Sequence, residues 1–147
     1  MDMQTIFNNI TTARREERMK TSMQLTLIEI IMKLEAIGVV DKDKKAKGIS
    51  FDFGYFKPTG LMSWRGSYAE LAVGYSETEG GLDAKKFLKE CKEAIGKEFT
   101  GYKGDEFLMG KNTPVWVSNY GQCPNTAIVD IVDKDNYIMI KTDDIEY

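Results

Sequence analysis

Residues 57 to 71 read KPTGLMSWRGSYAEL, which brings Trp64, Arg65, Tyr68 and Glu70 within seven positions of one another. Arginine is scarce in this chain. Arg65 is the only one outside an N-terminal cluster of Arg14, Arg15 and Arg18, and lysine carries the positive charge elsewhere. A guanidinium is flat and permanently charged, and it can grip a phosphate or carboxylate with two N–H groups while stacking on a ring. Trp64 and Tyr68 supply such rings. Gly66 permits a sharp turn or a close approach of backbone to a ligand. Two arrangements stay open. In one, Arg65 pairs with Glu70 and Trp64 caps the core, a structural role of uncertain net stability. In the other, these residues form an aromatic and guanidinium site for a planar anionic ligand.

A second candidate is FTGYKGDEFLM, residues 99–109, where Gly101 and Gly104 bracket Tyr102 and Lys103. Such a bracket can form a nest of backbone N–H groups that receives an anion, with Lys103 beside it. It is not a phosphate-binding P-loop, because the G-x-x-x-x-G-K-[ST] pattern is missing. A plain glycine-built turn between a helix and a strand is the alternative. Asp133, Asp135 and Asn136 resemble half of a calcium loop but lack its glycine and terminal glutamate, so a hairpin turn is expected there. No metal site and no cofactor is expected.

Composition removes whole classes of chemistry. The chain has no histidine, which excludes nucleophiles activated by a Ser-His or Cys-His pair and removes the commonest general base and metal ligand. An enzyme would have to rely on carboxylates such as Glu70 with lysine or tyrosine, and no spacing supports that. We therefore expect a non-enzymatic protein with no catalytic residues. With 20 basic and 23 acidic side chains, net −3, binding to duplex nucleic acid is disfavoured. No apolar run approaches the roughly 20 residues that span a bilayer, and the N-terminus lacks the apolar core of a signal peptide. Cys91 and Cys123 show no C-x-x-C spacing and read as free thiols in a reducing cytoplasm.

The elements that must position these residues fit one α+β domain over residues 1–147, with 1–20 open as a separate helical extension. Apolar residues at Met23, Leu27, Ile30, Leu34 and Ile37 predict a helix over 21–37, started by Thr21 and Gln24 as a capping box and ended by Gly38. Together with the preceding residues it reads as a long N-terminal helix. Leu25, Ile28 and Ile31 widen its apolar stripe, which predicts a second subunit as cover, hence a homo-oligomer. Alternation predicts strands at GISFDFG and SYAELAVGYSE, with a loop over 54–66 between them. Asp83 caps a helix through Ile95. TPVWVSN is a strand, and TAIVDIV, DKDN and YIMIKT form a hairpin. The expectation is a mostly antiparallel sheet of about five strands with helices packed on one face.

The stretches FDFGYFKPTGLMSWRGSYAELAVGY and IGKEFTGYKGDEFLMGKNTPVWVSNYGQCPNTAIVDI resemble a family of small uncharacterised proteins from bacteriophage and bacterial genomes. That family's pattern is roughly S-[YW]-R-G-x-Y-x-[ED]-L-A, then F-x-G-Y-K-G-G-x-F-x-M and T-P-L-W-V-A. The resemblance covers about residues 25 to 132. This chain departs at Trp64, where tyrosine is commoner, and at Asp105, where glycine is commoner. The resemblance implies a phage-associated origin and the host cytoplasm as location, and it transfers no catalytic residue. The resulting expectation is a binding protein for a small anionic, nucleotide-like ligand that sequesters a host immune signal. Its site would comprise Trp64, Arg65, Gly66, Tyr68, Glu70, Gly101, Tyr102, Lys103 and Gly104. The rival expectation is a protein inhibitor of a host enzyme, with no small-molecule site.

Overall fold

The computed structural model describes residues 23–39, 47–77, 80–118 and 125–145. The helical reading of 1–20, the charged loop from 41 and Cys123 fall outside these residues, wholly or in all but one position. The chain forms helix α1 (Leu27–Ile37), strands β1 (Gly48–Phe51), β2 (Lys57–Ser63) and β3 (Leu71–Ser76), and helix α2 (Ala84–Ala94). Strands β4 (Glu98–Thr100), β5 (Glu106–Leu108), β6 (Val115–Val117), β7 (Thr126–Asp133) and β8 (Tyr137–Asp144) follow.

Six strands make one sheet in the order β1-β8-β7-β6-β3-β2, and β4 pairs with β5 apart from it. The sheet curls until it is nearly closed and barrel-like. This overturns the expected five-stranded antiparallel layer with helices on one face. The sheet is mixed, because β1 runs parallel to β8 and β3 parallel to β6. The first and last strands meet side by side, a pairing that no local turn signals. At the seam where the edge strands β1 and β2 approach, Phe51 N–H donates to the Phe56 carbonyl across a tight turn in which Gly54 and Tyr55 both take positive φ, as a type I′ turn requires. Phe53, Phe56 and Tyr75 close the seam with rings 5.3 to 5.9 Å apart.

Strand β2 occupies part of what the sequence reads as loop. Pro58 and Gly60 disguise it, yet it pairs antiparallel with β3 from Lys57 to Ser63 through an irregularity between those two residues.

The long N-terminal helix is also overturned. Helix α1 starts at Leu27, not Thr21, because residues 24–26 are used by the sheet. Strands β6 and β7 are paired only at Trp116 opposite Ala127. One residue further on, Leu25 enters between them. It donates to the Ile128 carbonyl and accepts from Val115 N–H, and the Gln24 side-chain amide donates to the Val115 carbonyl. Backbone engaged this way cannot make helical bonds. The capping pair is Thr26 with Glu29, whose carboxylate accepts from both the Thr26 N–H and hydroxyl. The orphan N–H groups of Leu27 and Ile28 donate to the carbonyls of Thr113 and Lys111.

The main core joins Leu27, Ile30, Ile31 and Leu34 of α1, and Phe87, Leu88, Cys91 and Ala94 of α2, to residues of β1, β3 and β6–β8. Helix α2 fits its reading, with Asp83 accepting from Lys86 N–H at the N-cap. The helices are tied by Lys92 to Glu35, and α1 to β7 by Lys33 to Asp130 at 3.1 Å. Partial burial works to raise Asp130, but Lys33, the Ile131 N–H and Lys141 outweigh it and hold the carboxyl below its usual range.

Leu25 and Ile31 are buried within this chain, and Ile28 is half-buried. The wide apolar stripe therefore finds its cover at the β6–β7 split and in the core, so helix burial alone no longer demands a second subunit. Ile31→Glu should consequently cost several kcal/mol by placing a charge in the core, and it should lower the urea midpoint. An unchanged midpoint with a halved mass by light scattering would instead put Ile31 in a subunit interface.

Burial pushes the Cys91 thiol up to about 12, with Glu90 adding to the shift. The unfolded chain ionises this thiol at about pH 8.5 while the native chain does not. The thiol's contribution is thus fully present below that pH and is lost as pH rises towards 12. Wild-type stability should fall relative to Cys91→Ala across this window, measured by urea unfolding at several pH values. Parallel curves would contradict the burial.

Candidate functional site

Three residues in register define the sheet's second face at one end: Ala72 of β3, Trp116 of β6 and Ala127 of β7. Their strand neighbours Leu71, Val73, Val115, Val117 and Ile128 point the other way into the main core. The two alanines leave room on either side of Trp116, and Trp64 fills it. The indoles stack with centroids 4.1 Å apart and planes 8° off parallel. Trp64 is 1% exposed, so its ring is part of the core rather than an open platform. Trp116 Nε1 donates to Glu70 Oε1 at 3.2 Å, and Glu70 is itself buried. Trp64 Nε1 is buried as well and has no hydrogen-bond partner among the described residues.

The stack fixes the loop that joins β2 to β3. Trp64 N–H donates to the Glu70 carbonyl, and the Ser63 hydroxyl to the Tyr68 carbonyl. Ser67 N–H returns to the Trp64 carbonyl, closing a turn whose central residues, Arg65 at φ 55° and Gly66 at φ 68°, are both left-handed. Glycine takes this conformation freely, but for arginine it costs roughly 1–2 kcal/mol. The guanidinium carbon sits 4.7 Å above the Trp64 ring, and Nη2 donates to the Asn125 side-chain oxygen. Arg65 thus takes neither arrangement suggested by the sequence in full. It is exposed and held by Trp64 and Asn125, while Glu70 lies below, bonded to Trp116.

The second segment meets the first. Tyr102 N–H donates to the Gly66 carbonyl at 2.9 Å. A methyl group at Gly101 would collide with that same carbonyl oxygen, and one at Gly66 would lie 2.8 Å from the Tyr102 ring. Close approach of the two loops accounts for both glycines. The Gly101–Gly104 turn is not an open nest. Its Gly101 and Gly104 N–H groups donate to the carbonyls of Asp105 and Gly101, and Tyr102 N–H is already taken.

Of the nine residues singled out from sequence, Trp64, Glu70 and Gly101 are buried supports. Arg65, Tyr68, Tyr102, Lys103 and Gly104 are exposed at the junction, and Gly66 lies between. Tyr68 stands 5.0 Å from Trp64 and is 41% exposed. Tyr102 is 70% exposed, with the Lys103 ammonium 5.4 Å from its ring. Asp105 and Glu106 follow in sequence and are exposed. Glu106 is raised above its usual range, first by a hydrogen bond to Glu98 and then by that neighbour's charge. Sequence reasoning missed Trp116 and Asn125. Trp116 had a signal, as an indole alternating with the core valines 115 and 117. Asn125 had none.

No group of acidic or sulfur side chains suited to a metal occurs among the described residues. No helix among them is long and apolar enough to cross a membrane.

The glycine contacts give a direct test of the junction. Gly101→Ala should cost about 1–3 kcal/mol through overpacking. Gly110→Ala, where a methyl group meets nothing within 4 Å, should be nearly neutral. Equal melting temperatures for both variants would show that the loops do not meet as described.

No protein-family model matches this chain, and neither does any curated protein or any solved structure.

Proposed function

We propose that this chain is a non-enzymatic binding protein for a small anionic, nucleotide-like ligand, received at the junction of the 64–70 and 101–104 loops. The observation that carries the reading is the Tyr102–Gly66 hydrogen bond, which sets two exposed rings, Tyr68 and Tyr102, and two cations, Arg65 and Lys103, in one corner. Rings give a base a stacking surface, and cations give a phosphate its counter-charge. The exposed tyrosines are the stacking partners in this reading. Trp64 and Glu70 hold Arg65 and the loop in place from beneath. The resemblance to small phage proteins supplies a setting, sequestration of a host immune nucleotide in the host cytoplasm, with assembly into a homo-oligomer as part of the same proposal.

A second reading, inhibition of a host protein through a surface contact, draws on the β4–β5 hairpin. There Leu108 is 64% exposed beside the acidic Glu98 and Glu106.

Calorimetric titration against a panel of cyclic and linear nucleotides tests the first reading. Binding is expected, and Arg65→Lys should weaken it by about 1–3 kcal/mol, the scale of a lost charge-assisted contact, with little change in Tm. No heat with any nucleotide, or equal affinity for both proteins, would overturn the assignment and leave the surface contact as the better account.

A further inference from the structure

The ligand reading leaves open which donors hold the anion, and the corner narrows that choice. Backbone donors are largely spent, since the N–H groups of Gly101 and Gly104 are taken by carbonyls of their own turn and that of Tyr102 by the Gly66 carbonyl. Side chains must do the work. Among them, Trp64 Nε1 stands apart as a buried donor without an acceptor among the described residues. A buried polar group left in that state is costly, and native structures seldom keep one without a reason. Its neighbour Arg65 carries a second local cost, the left-handed backbone of a residue with a side chain. The guanidinium over the Trp64 ring is exposed and, among the described residues, tethered at its end by one side-chain amide, Asn125. The group on the indole's face, next to the in-plane N–H, is therefore the same group that an anion would recruit.

Resting on the ligand reading above, we infer that an oxyanion docks on the 64–67 turn with Arg65 and Trp64 Nε1 as its two side-chain donors. An oxygen of a phosphate monoester draws Arg65 off the indole face and away from Asn125, and a second oxygen takes the Trp64 N–H. The ligand class is thus a terminal phosphate. A neutral nucleoside lacks what these two donors require, however well its base stacks on Tyr68 or Tyr102. Trp116 does not share the role, because its Nε1 is already committed to Glu70.

The chain holds two tryptophans, so the indole region of a 1H–15N correlation spectrum carries two Nε1–H signals. Trp64→Phe assigns one, and if that variant does not fold, Trp116→Phe assigns the other. The probes are AMP, inorganic phosphate and adenosine. Addition of AMP or phosphate should move the Trp64 indole signal downfield, as a donor gaining an acceptor does, leave the Trp116 signal in place, and produce neither change with adenosine. Trp64→Phe should bind AMP at least about ten-fold more weakly, the worth of one hydrogen bond to a charged acceptor. If AMP moves the backbone amides of 65–68 and 102–103 while the Trp64 indole stays still, the indole contact is refuted and the ligand reading stands. If AMP moves none of these signals, the inference fails together with the reading it rests on.

Discussion

Trp64 lies flat against Trp116, and the exposed corner of the molecule is built outward from that contact. The stack needs small neighbours on both sides, which Ala72 and Ala127 supply in register. Burying an indole removes roughly 150–250 Å² from water, and a well-placed aromatic pair adds about 0.5–1.5 kcal/mol beyond area. That is enough to hold a seven-residue connection, residues 64–70, against the sheet although its turn contains a left-handed arginine. Three polar residues at the corner then have a fixed relation to the stack. Glu70 is bonded to one indole, Arg65 rests on the other, and Tyr68 stands beside it.

The glycines extend the order outward. Gly66 and Gly101 meet without side chains, so the 101–104 turn can seat its backbone on the first loop. The same contact takes up the Tyr102 N–H, and the turn's own carbonyls take those of Gly101 and Gly104. Rigidity and donor capacity thus trade against each other at this site. What remains exposed is a set of rings and cations on a fixed base.

The sheet owes its curled form to pairings between distant parts of the chain. Strand β1 joins β8, and β3 joins β6, each in parallel. Between β6 and β7 the ladder splits after one pair and Leu25 enters the gap, which makes the helix start late and buries one of the apolar residues that had suggested a partner subunit.

The sequence by itself determined the elements whose signals are local. Helix α2 with its Asp83 cap, the β7–β8 hairpin and the alternation of β3 are legible because capping, turn chemistry and side-chain period act within a few residues. It also marked the two loops of the candidate site, since Arg65 between Trp64 and Gly66, and Tyr102-Lys103 between glycines, are unusual compositions. Tertiary structure alone decided that the two loops touch, that Trp64 is buried under Arg65, and that Glu70 serves Trp116 instead of the guanidinium. It also decided that residues 24–26 belong to the sheet and that β2 exists despite its proline and glycine. The physical reason is common to all of these. Each depends on which distant backbone or ring completes a hydrogen bond or a stack, and spacing along the chain carries no record of that partner.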